Sequence, residues 1–362
     1  MGRKRALPYF ILAVAILAIA LLLIFKDSFF SGNTAIGDVT RLEVDEELVP
    51  ISNDSTLFSY NGIMIEGENY NLRARNMEGT VLWTLKLKEN ISDIKRCGSG
   101  IVVNMGNKGI VTVSKAGEVL WQYEMTVPAY NILCSDEGLI LIQYKEDTYN
   151  SFEIFNIKGV KYCSAIINSA HVISFDGIAG KYYTVALLDV SSDKVLTKIA
   201  TYNNKSEILW ANNFENIIIP IIKYSEKGEL IAVFENSIKK FKADGKMFKD
   251  FNFSNSITKL SMGKNFIVSV VKNTGFYDVF IHDYNLKQIG TAAVKTKPMG
   301  VFVGDTHFLL YDKDSLTVSN RQSKVTAIYE SNIDINSTYI GDDSRVYIIS
   351  NRKLQKLSMY KR

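Results

Sequence analysis

Cysteine and histidine are scarce in this chain, with three residues of each among 362, and only five residues are proline. The cysteines Cys97, Cys134 and Cys163 form no Cys-x-x-Cys pair, which removes the usual zinc-site spacing. They sit in or beside strand-like segments and read as small buried apolar residues, although one disulfide with a spare thiol fits the odd count. His171, His282 and His307 lie in different units at strand edges; loops gathered on one face could make them a metal triad or a catalytic base, but the plainer reading is surface or strand-end residues. No Gly-x-Ser-x-Gly elbow, phosphate loop, dinucleotide glycine cluster or Asp-rich calcium loop occurs. A basic excess is missing as well. The net charge is +4, and Arg3, Lys4, Arg5 and Lys26 account for all of it, leaving 38 basic against 38 acidic residues beyond. Bulk electrostatics therefore give no reason to expect a nucleic-acid partner. No catalytic, cofactor-binding or metal-ligating set emerges.

What the chain does have begins at its N-terminus. Ala6 to Phe25 is twenty residues without a charge. As a helix rising about 1.5 Å per residue it would cross a hydrocarbon core of roughly 30 Å. Arg3, Lys4 and Arg5 precede it, and Lys26 and Asp27 cancel after it. The positive-inside rule then places residues 1–5 in the cytoplasm, 6–25 in the cell membrane, and the remainder outside. A cleaved signal peptide is the competing reading, but its apolar core is normally about 7–15 residues. Residues 26–37, rich in Ser, Gly, Asn and Thr, read as a linker.

From residue 38 to 362 the pattern is repetitive and β-rich. Met77-Glu78-Gly79-Thr80-Val81-Leu82-Trp83 matches Lys115-Ala116-Gly117-Glu118-Val119-Leu120-Trp121 at a spacing of 38. Each match stands between two strand-like runs. Weaker echoes follow around Gly159 with Tyr162, in Val190 to Leu196, around Gly245 with Phe248, in Asp283 to Ile289 and in Ser319 to Val325. Apolar runs such as GLILIQY and NFIVSVV lie between the turns and read as strands. An all-β recurrence of this length is the mark of a β-propeller with four strands per blade. The spacings favour eight blades, with seven as the alternative. The last unit shows three strands, and the orphan segment Asp38 to Val49 would supply its fourth, closing the ring and removing its exposed edges. Trp83 and Trp121, equivalent in consecutive repeats, read as blade-packing residues, whereas Trp210 falls outside that register and reads as exposed.

At the Gly79/Trp83 and Gly117/Trp121 matches the chain resembles the quinoprotein-like (PQQ-like, WD40-like) propeller superfamily. It looks like the uncharacterised membrane-anchored propellers of Gram-positive anaerobic bacteria. The resemblance implies a fold and, since no quinone or calcium ligands can be matched, argues against a redox enzyme. The expectation is an extracytoplasmic, single-pass membrane protein whose propeller scaffolds a protein partner or an envelope component, without catalysis or cofactor. A secreted carbohydrate-active lyase or hydrolase, or a ligand sensor, is the alternative.

Overall fold

The computed structural model describes residues 39–50, 56–60, 62–341 and 345–359. The expected cytoplasmic residues, membrane span and linker at 1–37, with Arg3, Lys4 and Arg5, lie outside them. Among the described residues no helix is long and apolar enough to cross a membrane.

Among the described residues, thirty-two strands are arranged as eight antiparallel four-stranded blades. Blades 1 to 7 are residues 56–86, 93–124, 129–168, 171–215, 221–252, 257–294 and 300–330. Blade 8 takes three strands from residues 335–359, and its fourth and outermost is Thr40–Pro50, antiparallel to Lys353–Met359. The first strands of successive blades approach one another, so they line the centre. The start of Thr40–Pro50 also pairs in parallel with the outer strand of blade 7, Thr40 beside Ala327.

The core follows from period-two side-chain alternation. The second strand of a blade lies between two neighbouring blades and is apolar on both faces. In Leu139–Lys145, Ile140 and Ile142 pack toward blade 2, while Leu139 and Leu141 pack toward blade 4. Most of the apolar runs in the sequence are such second strands. The run in residues 216–224 instead contains the first strand of blade 5, Ile221–Tyr224. Outer strands such as Ile208–Glu215 alternate between exposed and half-buried positions, because only one face has a neighbour. Every blade boundary carries its own buried apolar cluster. The one holding Met64 and Met77 of blade 1 against Tyr347 and Leu354 of blade 8 closes the ring.

Turns between third and fourth strands repeat one design. In blade 1 the Gly79 N–H donates to Asn76 O, and the Asn76 N–H donates to Thr80 O. The same pair of bonds recurs at Ser114, Asn156, Asn203, Lys242, Asp283 and Asn320. This is a type I turn closed by a residue with positive φ, which favours glycine. Gly79, Gly117, Gly159 and Gly245 fill that place at φ between 79° and 86°, and Ser206, Leu286 and Ser323 fill it elsewhere. The segment Val190 to Leu196 is not one of these turns. It joins the second and third strands of blade 4, on the opposite face, and the true counterpart in that blade is Asn203 to Glu207.

Candidate functional site

Two features draw on residues from several blades: the tryptophan contacts at the rim and the charged wall of the central funnel. Trp83 of blade 1 lies on the turn of blade 2. Its Nε1 donates to Lys115 O at 2.9 Å, and a Cβ on Gly117 would stand 2.7 Å from its Cδ2. Trp121 covers Gly159 of blade 3 with the pyrrole edge of its ring, with 2.4 Å left between a Gly159 Cβ and its Nε1. Glycine is therefore required twice at these turns, for its φ and for the approach of the ring.

Trp210 departs from the sequence expectation. It is half-buried and covers Gly245 of blade 5, with 2.5 Å between its Cδ2 and a Gly245 Cβ, while Asn212 Nδ2 donates to Gly245 O at 2.7 Å. In strand register it is the counterpart of the other two, since Trp83, Trp121 and Trp210 stand opposite Ala74, Thr112 and Thr201. Its unit was hidden because Ser206 replaces the glycine of the turn before it. Tyr162 and Phe248 do not take the tryptophan place. Both sit at a β-bulge, one residue early, and the register positions hold Cys163 and Lys249.

The funnel opens on the face that carries the turns between first and second strands. It encloses about 1480 Å³. Both signs of charge are interspersed around it, from Asp136, Lys181, Lys223, Glu226, Lys264 and Asp305. Lys223 Nζ on the first strand of blade 5 donates to Asp136 Oδ2 of blade 3 at 2.6 Å, spanning blade 4. Asp176 of blade 4 is buried in the same wall and accepts the Tyr224 N–H at 2.7 Å. Burial pushes the Asp176 carboxyl up to about 6, against the opposing pull of hydrogen bonds from the Tyr224 and Gly177 backbone. Burial would also raise Asp136 and lower Lys223, but their mutual hydrogen bond and attraction outweigh it, so Asp136 is held below and Lys223 above its ordinary range. Tyr224 extends the network outward, its hydroxyl 2.6 Å from Thr184 Oγ1, which lies 2.6 Å from Thr201 Oγ1. Below the wall, Lys240 is buried and fixed by Glu229 at 2.5 Å and by Tyr284 O at 2.8 Å.

The histidines occupy three different settings. His171 meets Gln143 at 3.2 Å and packs at a tilt against Tyr130; His307 is at the funnel beside Thr306. His282 is fully buried among Phe251, Phe253 and Phe280, with neither ring nitrogen hydrogen-bonded, and burial pushes it down to about 4. Among the described residues no three His, Cys, Asp or Glu side chains are grouped to hold a metal ion. A smaller hollow of about 430 Å³ between blades 2 and 3 includes Glu153, whose carboxylate accepts hydroxyls from Tyr123 at 3.3 Å and Tyr144 at 3.1 Å and also pairs with Lys161. The funnel wall carried no sequence signature, since Asp136, Asp176 and Lys223 stand in three different repeats without a shared motif.

Comparison with solved structures gives the same fold at low identity. BamB from Moraxella catarrhalis matches at 12% identity with a TM-score of 0.57, over 88% of this chain and 98% of its own. Sqt1 of Saccharomyces cerevisiae matches at 8% identity with a TM-score of 0.59, over 90% of this chain and 100% of its own. The Dos1 propeller matches at 12% identity with a TM-score of 0.55, over 90% of this chain and 95% of its own. No curated protein sequence matches. The model of a family of unknown function, DUF5711, matches residues 30–359.

Proposed function

Since the chain belongs to the family of unknown function DUF5711, we propose a function from its geometry: a membrane-tethered, extracytoplasmic propeller that scaffolds a protein partner through its funnel. The observation that carries this is the funnel wall, where single turns of a rigid ring offer closely spaced groups of both signs. Binding groups on short loops held by a stiff scaffold suit recognition of another macromolecule. Mixed signs suit a polypeptide surface, which is itself amphoteric, better than a uniformly charged polymer.

The tether has a direction. Thr40–Pro50 runs antiparallel to Lys353–Met359, so its Thr40 end lies on the funnel face. With residues 6–25 across the bilayer, the twelve residues 26–37 reach at most about 40 Å. The funnel then opens toward the membrane, and its partner is one encountered within that layer.

The test is affinity recovery of the full chain from membranes solubilised in mild detergent. The native chain is expected to retain one partner that is lost from Lys223→Glu and Asp136→Lys. Lys313→Glu, on the opposite face, is expected to retain it. Recovery of the bare native chain under several mild conditions overturns the proposal.

A second reading, a carbohydrate-active enzyme, has one observation in its favour. Asp136 and Asp176 share the funnel wall with their carboxyls displaced in opposite directions, the pattern of an acid paired with a base. Glycan cleavage by the native chain, abolished by Asp176→Asn with the fold intact, would select this reading over the scaffold.

A further inference from the structure

We propose that Cys97 and Cys134 form a redox-active pair that closes to a disulfide joining blades 2 and 3 at the funnel mouth. The two cysteines end the first strands of adjacent blades, Asp93–Cys97 and Ala129–Cys134. Beyond them the two backbones touch. The Gly98 N–H donates to Ser135 O at 3.1 Å, and a Cβ on Gly98 would lie 2.6 Å from Gly138 N. Gly98, at φ +53°, permits this contact, which brings the preceding side chains together. Both thiols are free and belong to one side-chain cluster at the boundary of blades 2 and 3, and Cys97 donates to Leu139 O of blade 3 at 3.2 Å. The neighbouring Cys134 thiol, followed by burial, raises the Cys97 thiol. Cys97 is fully buried and Cys134 partly exposed, which divides the roles. Cys163 is elsewhere, buried in the core between blades 3 and 4, and is the spare thiol.

The oxidant is an external disulfide, from a protein dithiol oxidase or oxidised glutathione. Cys134, as thiolate, attacks one donor sulfur, and the donor S–S bond breaks with release of one donor thiol. The Cys97 thiol then gives up its proton and attacks Cys134 Sγ, breaking the mixed disulfide and releasing the second donor thiol. Two protein thiols lose two protons and two electrons, and the donor disulfide is reduced to two thiols. The bond would fix the relative position of Arg96 and Asp136, which flank the two cysteines and both line the funnel. The proposal stands on the contact between the blades and is independent of the scaffold reading.

The test uses the full chain purified reduced, then equilibrated with reduced and oxidised glutathione at graded ratios. Expected are a loss of about 2 Da, a fall from three to one alkylatable thiols in denaturant, a Cys97–Cys134 cross-linked peptide, and a Tm raised by about 5 °C. Cys163→Ser is expected to keep the redox-dependent Tm shift. Cys134→Ser and Cys97→Ala are each expected to lose it while melting near the reduced native chain. Three free thiols at the most oxidising ratio, a bond through Cys163, or a glutathione adduct on Cys134 that never resolves overturns the proposal.

Discussion

The boundary between blades 3 and 4 and the boundary between blades 8 and 1 serve the same purpose with unequal means. The first buries fourteen apolar side chains in one cluster, including Phe152, Tyr183 and Tyr202. The second buries four among the described residues: Met64, Met77, Tyr347 and Leu354. What the closing boundary lacks in packing is offset by connectivity, because blade 8 is completed by a strand from the other end of the chain. A propeller need not be held equally at every joint when one joint is also a hydrogen-bonded clasp. The tryptophan contacts follow the same inequality. They link blade 1 to 2, blade 2 to 3 and blade 4 to 5, and in blades 5, 6 and 7 the equivalent positions hold Lys249, Gly290 and Ala327.

The largest effect is expected from removing the clasp. A chain beginning at residue 51, compared with one beginning at residue 38, leaves Lys353–Met359 as an open edge. Urea denaturation should lose its single cooperative transition, and size-exclusion chromatography should show association through the free edge. An unchanged transition would mean that the four-residue cluster closes the ring unaided.

Next comes acid sensitivity, which two buried groups drive in opposite directions. His282, at about 4 in the folded state and 6.5 unfolded, is neutral in both above pH 6.5. Between pH 6.5 and 4 the unfolded chain takes up the proton first, so acidification costs stability, about 3 kcal/mol at roughly 1.4 kcal/mol per pKa unit. Asp176, at about 6 folded against 3.8 unfolded, protonates first in the folded chain, so it adds stability over much the same range. The advantage of His282→Phe over the native chain should grow from pH 6.5 to 4, and that of Asp176→Asn should shrink from pH 6 to 4. Parallel pH profiles for the two variants would contradict the burial of either group.

Much of this was legible from the residues. The recurrence near 40 residues, the eight blades and the clasp formed by Thr40–Pro50 all follow from glycine turns and period-two apolar runs. These signals are local, and a strand needs no distant partner to display them. Where a turn uses Ser206 in place of glycine, the signal fades and Trp210 loses its context, although its ring faces Gly245 through the same edge that Trp83 turns to Gly117. Tyr162 and Phe248 misled for a different reason. A bulge inserts one residue, and a one-residue shift changes which face a strand side chain meets. The funnel wall was not legible at all, because Lys223 and Asp136 are 87 residues apart and meet only when blades 3, 4 and 5 have been laid side by side.

The smallest effect separates the tryptophan contact from the backbone conformation beneath it. Gly159 and Gly275 share a φ of +81°, yet a Cβ at Gly159 meets Trp121, while one at Gly275 meets nothing within 4 Å. Both alanine substitutions carry the left-handed penalty of about 1–2 kcal/mol. Gly159→Ala adds the displacement of a packed indole, about 1–3 kcal/mol for an overpacked site. Unfolding free energies from denaturant titration should therefore differ by roughly 2 kcal/mol between two chemically identical changes. In a Trp121→Leu background the smaller side chain relieves the clash, and the two substitutions should cost nearly the same. If the gap persists there, the strain belongs to the turn of blade 3 itself, and the indole is a bystander in the joint it covers.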